Sequence, residues 1–298
     1  MTEKAEALRA LAPAKVNLFL HVGNKRADGY HALQSLVVFT EAGDELALSP
    51  DRELKLVIRG PFGGALKADA DNLVLKAARA LAAHAGVTRG AAISLKKNLP
   101  VASGIGGGSA DAAATLRGLS RLWGLKLQRD ELHAIAEALG SDVPVCVSSR
   151  AQWMEGRGET LTALDPLPAM AVVLVNPGVA VPTAKVFAAL TDRRGTSLPP
   201  PPKFANASDL IAYLKDTSND LEAPARSVAP VIDDVVNALA SQQGARLTRM
   251  SGSGATCFAL FDSDEAAAKA AAAIGKHHPK WWTIATKIAN ISPAALLA

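Results

Sequence analysis

Residues 15–22 alternate polar and apolar side chains, the period-two pattern of a β-strand. The same reading places strands at 33–39, 45–49 and 54–59, the last two parted by Pro50-Asp51. The opening of the chain is therefore mostly sheet. The rhythm then changes. Asp71 can cap a helix over 72–85 that Gly86 would stop. A strand at 91–96 leads into a glycine-rich stretch, and helices are expected at about 109–122 and 129–139, the second ending at Gly140. Residues 151–155 and 159–163 read as a hairpin across Gly156-Arg157-Gly158, and 170–175 as a buried strand.

Between Thr191 and Lys203 the periodicity is lost. Arg193-Arg194-Gly195 and then Pro199 to Pro202 mark an exposed loop or linker. Helical spacing returns at 208–214 and 231–243, followed by a strand at 247–250, the turn Ser251-Gly252-Ser253-Gly254 and a strand at 255–261. A helix over 264–277 and a strand over 281–288 finish the chain, with Trp281 and Trp282 on opposite faces of that strand. No internal repeat is present. This order predicts an α+β first half and a smaller α/β second half, as one domain over 1–165 and another over 166–298.

Composition narrows the class. Of 298 residues, 49% are hydrophobic, enough for a large core in a soluble protein. The formal charge of +4 is small and the basic residues are scattered, which argues against nucleic acid or a membrane as partner. Cys146 and Cys257 sit in apolar runs and read as reduced core residues. The stretch from Met1 to Leu11 lacks the apolar run of a secretory leader, and the longest uncharged run, between Asp165 and Lys185, is broken by four prolines. A cytoplasmic protein is expected.

Candidate chemistry centres on residues 100–111, where Gly104, Gly106, Gly107 and Gly108 crowd together before an alanine-rich helix. Without Cβ atoms such a loop can aim several N–H groups at one point, and the helix behind it adds the positive end of its dipole. No acidic residue lies between Pro100 and Ala110, so a phosphate is the natural occupant. The common P-loop, the dinucleotide fingerprint and the nucleophile elbow all fail on spacing. A flexible turn before a helix is the plainer alternative. A lysine and an aspartate beside a phosphate would suit hydroxyl phosphorylation, and Lys15 and Asp142 are candidates. Taken alone, Asp142 reads more simply as a helix N-cap and Lys15 as a solvated strand end. Likewise Ser251 to Gly254 is a tight hairpin or a second close approach to the phosphates, and Tyr30 is a stacking ring or ordinary loop packing. His84, His133, His277 and His278 lack metal-site spacing and read as structural.

PVASGIGGGSADAA (100–113) resembles the phosphate loop of the GHMP kinases, a group that includes galactokinase, homoserine kinase and mevalonate kinase. APAKVNLFLHVGNKRADGYHAL (12–33), LGSDVPVCV (139–147), NDLEAPA (219–225) and SGSGATCFALF (251–261) are similar, in order, to motifs of one branch. The acceptor of that branch is a cytidyl diphosphate of methylerythritol, on the non-mevalonate route to isoprenoids. The resemblance implies an α+β, GHMP-kinase-like two-domain fold: an N-terminal mixed sheet with helices and a C-terminal ferredoxin-like α/β sandwich. It implies ATP-dependent transfer to the acceptor's 2-hydroxyl, with Lys15 and Asp142 catalytic and Asp142 taking the proton. Pro100, Val101, Ala102, Ser103, Gly104, Ile105, Gly106, Gly107, Gly108, Ser109 and Ala110 would hold the ATP phosphates, with Asn72 and Lys97 near the adenine. Asn17, Tyr30, His31, Thr183 and Phe187 would line the acceptor pocket, Tyr30 and Phe187 sandwiching the cytosine. Mg²⁺ would bridge the triphosphate oxygens, with no dedicated protein site; Ser109 and Asp142 are the candidate contacts. Two positions depart from the pattern. Ala110 stands where a second serine is common, and Arg249-Met250 precede SGSG where smaller residues are expected. Two other readings stay open: a homoserine- or mevalonate-type kinase, against which Tyr30-His31 speaks, and a catalytically silent nucleotide or nucleic-acid binding module, which would need a basic face.

Overall fold

The computed structural model describes residues 7–290 and 295–297. The reading of Met1 to Leu11 lies partly outside these residues; from Leu8 onward that segment is strand. β1 (Leu8–Lys25) and β2 (His31–Asp51) form a long antiparallel ribbon. β3 (Leu54–Arg59) runs parallel to β4 (Gly90–Lys96), and helix α1 (Leu73–Ala85) supplies the crossover such a pair requires. β4 pairs with the 45–51 half of β2. Helices α2 (Gly107–Leu122), α3 (Arg129–Leu139) and α4 (Val143–Ser148) follow. The hairpin β5 (Gln152–Gly156) and β6 (Thr160–Ala163) then pairs, through β5, with the 33–37 half of β2. The order is β3-β4-β2-β5-β6, with β1 added on β2.

The rest of the chain builds a second sheet. β7 (Ala171–Asn176) is followed by α5 (Thr183–Ala188), α6 (Ala207–Lys215), α7 (Glu222–Val228) and α8 (Val231–Ala240). Then come β8 (Ala245–Met250), β9 (Cys257–Phe261), α9 (Asp264–His277) and β10 (Trp282–Lys287). Their order, β10-β7-β9-β8 with every pair antiparallel, is the ferredoxin-like arrangement. Val16, Leu18, Leu36 and Val38 of the first sheet share one buried cluster with Val172, Leu174, Phe258 and Leu260 of the second, so the sheets pack against each other. α1 and α2 cover the other side of the first sheet, which leaves β1 buried on both faces.

Several expectations shift by a few residues. The strands expected at 33–39 and 45–49 are one continuous β2. Its polar middle is held from outside: Thr40 and Asp44 are fully buried, and Asp44 Oδ1 accepts hydrogen bonds from the amides of Asn98 and Leu99. α1 is capped by Asn72, whose Oδ1 accepts from the Val74 amide at 3.0 Å, while Asp71 pairs with Lys76 at 3.0 Å. α2 starts at Gly107, two residues earlier than its pattern suggested. Trp281 lies just before β10, stacked on His278 at 3.8 Å, whereas Trp282 packs between the sheets. α5 and α7 had no clear periodicity because each is under ten residues long. Both cysteines are free and buried.

The ribbon's register shifts just past the Pro13–Gly43 pair, and a Cβ on Gly43 would fall 2.4 Å from the Ala12 carbonyl oxygen. Since the obstacle is backbone, Gly43→Ala should force the ribbon apart and cost about 1–3 kcal/mol. A urea midpoint equal to wild type would contradict this packing.

Candidate active site

β1 pairs with β2 along one edge only. Its other edge collects four separate pieces of chain. The Leu11 amide donates to the Leu296 carbonyl, the Lys15 amide to Ile105 (2.9 Å), the Asn17 amide to Ser251 Oγ (3.1 Å), and the Leu20 amide to Ser218. The glycine loop and the Ser251–Gly254 turn are thereby hung side by side on one strand. Register shifts at Pro13/Lys15 and Asn17/Phe19 mark where the ladder is irregular, as bulges beside functional sites do. The two turns also pack backbone to backbone. Gly104 (φ +77°) has room for no Cβ, which would fall 2.7 Å from the Ser251 and Gly254 oxygens.

This suspension presents the loop's amides outward. Among the described residues, no backbone N–H from Val101 to Ser109 donates a hydrogen bond within the chain; the first used is that of Ala110, to Gly106 at 2.8 Å. Unpaired amides at the head of the sixteen-residue α2 form an anion-binding concavity. A cavity of about 490 Å³ lies in front of them, lined by Pro100 to Gly104, Gly106 to Ser109, Leu66, Leu73 and Val181 among others. Ile105 and Ala110 point instead into the core, both essentially unexposed. The hydroxyl that Ala110 lacks would therefore not have faced this cavity.

Lys15 Nζ lies 3.0 Å from Asp142 Oδ1, with side-chain exposures of 5% and 43%. Lys15 is thus no solvated strand end. Asp142 does sit at the N-cap of α4, but its side chain makes no capping bond. Arg117 of α2 ties the three relevant elements together. Its guanidinium donates to the carbonyls of Cys146 (2.8 Å) and Val147 (3.1 Å) in α4 and of Leu11 (2.9 Å) in β1. A second cavity, of about 240 Å³, is lined by Asn17, Tyr30, His31, Met154, Arg157 and Phe187, among others. The two cavities share Lys15, Asp142, Thr183, Gly252 and Ser253, so the ion pair stands at their junction.

The remaining anticipated residues fall in distinct places. Asn17 donates through Nδ2 to Ser35 Oγ at 2.8 Å. Thr183 Oγ1 and Ser253 Oγ are hydrogen-bonded at 2.9 Å. His31 Nδ1 bonds the Gly23 carbonyl at 3.1 Å, and its ring stacks on Phe187 with centroids 5.5 Å apart. Tyr30 is 58% exposed. Asn72 does not line either cavity: Oδ1 caps α1 and Nδ2 donates to the Lys67 carbonyl, and Leu73 stands at the wall beside it. Lys97 lines the first cavity, but its ammonium is fixed below the loop between Asp44 (2.5 Å) and Asp111 (2.7 Å), all three buried. Arg249 points away from SGSG and donates to the carbonyls of Leu18, Leu214 and Thr217. Burial pulls its guanidinium down to about 10. That departure stitches β8 to β1 and α6 and leaves the turn free.

The model described as "GHMP kinases N terminal domain" matches residues 72–150, and "GHMP kinases C terminal" matches 204–280. A 4-diphosphocytidyl-2-C-methyl-D-erythritol kinase of Methylobacterium radiotolerans is 52% identical over 284 residues, 92% of this chain and 97% of that protein. A crystal structure of 4-(cytidine 5'-diphospho)-2C-methyl-D-erythritol kinase superposes with a TM-score of 0.76 at 33% identity, covering 95% of this chain and 100% of the other. Homoserine kinase from Cytophaga hutchinsonii, at 21% identity and a TM-score of 0.69, shares the fold.

The Lys97 cluster gives a pH prediction. Burial opposes the Lys97 charge, but Asp111 and Asp44 outweigh it and hold the ammonium above its ordinary value. At Asp111 burial dominates and pushes the carboxyl up to about 7 from 3.8, so folding favours its protonated form. That contribution is complete below the unfolded value and is lost as pH rises through about 7. Asp111→Asn cannot ionise. Its urea midpoint relative to wild type should therefore climb between acid and neutral pH; a constant difference would refute the assignment.

Proposed function

The chain belongs to the GHMP kinases, and from that membership we propose that it transfers a phosphoryl group from ATP to the 2-hydroxyl of 4-diphosphocytidyl-2-C-methyl-D-erythritol. This is a step of non-mevalonate isoprenoid precursor biosynthesis, carried out in the cytoplasm. One observation carries the reading: Lys15 and Asp142, 3.0 Å apart, stand where an amide-rich cavity meets an aromatic one. The first cavity suits a triphosphate and the second a cytosine with its sugar and diphosphate. The aromatic side, with Tyr30, His31 and Phe187, favours a base-bearing acceptor over homoserine or mevalonate, which have nothing to stack.

Asp142 accepts the proton of the acceptor hydroxyl as that oxygen bonds to the γ-phosphorus and the bond to the β,γ-bridging oxygen breaks. Lys15, 3.0 Å from Asp142, orients that carboxylate and offsets charge on the phosphoryl in flight. The amides from Val101 to Ser109 bind the non-bridging oxygens with no reorganisation, since nothing in the chain competes for them. Mg²⁺ would arrive on the nucleotide and keep mostly phosphate and water ligands. Ser109 and the free oxygen of Asp142 would be its protein contacts, and it would neutralise charge on the triphosphate. No helix among the described residues is long and apolar enough to cross a membrane.

Asp142→Asn should lower kcat by at least about a hundredfold while ATP still binds. Near-native turnover would remove Asp142 as the base. A coupled assay over a panel of alcohols tests the acceptor: turnover of homoserine or mevalonate at rates matching the cytidyl substrate would overturn the assignment.

A further inference from the structure

Arg157 has no role in the account so far, yet it lines the acceptor cavity. It sits at the tip of the β5–β6 hairpin between Gly156 (φ +73°) and Gly158 (φ +116°), a turn that only glycines tolerate on either side. The turn is fastened at two points. The Arg157 amide donates to the Glu159 carboxylate, which also pairs with Arg26 at 3.4 Å. Gly158 packs on the residue before Asp142, where a Cβ would lie 3.1 Å from the Ser141 carbonyl oxygen. The Arg157 side chain runs from there to Tyr30, with its guanidinium 5.5 Å from the ring centroid. It therefore spans the gap between the reacting end of the cavity and its aromatic end.

The charge balance of that wall is uneven. Of the formally charged residues lining the cavity, Lys15 and Asp142 compensate each other at 3.0 Å. Arg157 is the third. Its nearest carboxylate, Asp28, is 3.8 Å away and already holds Arg26 at 3.3 Å. Among the described residues the Arg157 guanidinium donates no hydrogen bond. A fork of unused donors on a half-exposed side chain, between an aromatic platform and a catalytic pair, is suited to a bidentate phosphate anion.

We propose that Arg157 binds the diphosphate of the acceptor, between the stacked base and the catalytic pair. This rests on the acceptor being a cytidyl diphosphate. The guanidinium lies on one face of Tyr30, and no aromatic ring among the described residues stacks on the other, so base and cation can use the residue together.

Calorimetry with CDP and with cytidine separates the diphosphate from the base. Arg157→Ala should weaken CDP at least about tenfold and leave cytidine unchanged, and Arg157→Lys should fall between, keeping the charge without the fork. In turnover the acceptor KM should rise by the same factor while kcat and the KM for ATP stay within about twofold of wild type. Equal losses for CDP and cytidine would mean that Arg157 only supports the stacked base, and would overturn the proposal. So would no loss for either, or a wild type that binds both alike. If wild type fails to phosphorylate the cytidyl acceptor at all, the functional reading itself fails, and that result is visible without any variant. The side chain is exposed on a surface hairpin, so the variants should fold; matching thermal midpoints check this.

Discussion

Everything in this site depends on one strand having a spare edge. β1 pairs with β2 on one side, and its other amides go to the glycine loop, the SGSG turn and the chain at 218, not to another strand. An open edge is ordinarily a liability because its polar groups invite a foreign strand. Here the protein's own turns satisfy them. The exchange has a geometric result: turns distant in sequence acquire a common origin, set by the short repeat of an extended backbone. Lys15 and Asn17, two residues apart, each hold one turn by the main chain while their side chains face the cavities between.

Buried charge finishes what the strand edge begins. Lys97 between Asp44 and Asp111 joins the bend of β2, the end of β4 and the first turns of α2. Arg117 joins α2 to α4 and β1, and Arg249 joins β8 to β1 and α6. An ion in the core is expensive to desolvate, and it is stable only when most of its donors are occupied. The same demand makes it directional: a hydrophobic contact permits sliding, whereas a guanidinium aimed at several carbonyls does not. Each of these cations fixes an element that carries part of the site and is held by partners within the chain. This separates the groups that hold the loop from those free to meet phosphate.

That division explains what could be read from residues alone. Local signals were legible. Gly86 ends α1 in the left-handed region, and Gly104 with Gly106 to Gly108 marks a stretch with unpaired amides. The α/β order of the second half was legible apart from the short α5 and α7, whereas its ferredoxin-like form was implied only by the family resemblance. What failed was whatever depends on a distant partner. The polar run from Thr40 to Asp44 broke the strand pattern because its hydrogen-bond partners lie fifty residues on, at Asn98 and Leu99. Asn72 carried a cap in place of Asp71, and nothing in their order distinguishes two adjacent capping residues. Arg117 carried no signal, Arg157 read only as a turn residue and Arg249 only as a departure from the family pattern, because an arginine is by default a solvated residue, and only coordinates reveal one that is buried or left without a partner.

The pairing of Lys15 with Asp142 shows how far such asymmetry extends into the chemistry. The lysine is almost wholly enclosed while the carboxylate is nearly half open. In the proposed reaction the aspartate must meet an incoming hydroxyl, which an enclosed carboxylate could not do; were both open, water would screen the lysine's field and the pair would be worth little. With the cation embedded in a strand and the anion on a short helix end facing two cavities, the fixed charge is shielded from solvent and the mobile proton is not. The contrast in burial follows from the scaffold: β1 is covered on both faces by the packing of two sheets and two helices, whereas Asp142 precedes the brief α4 and lines both cavities.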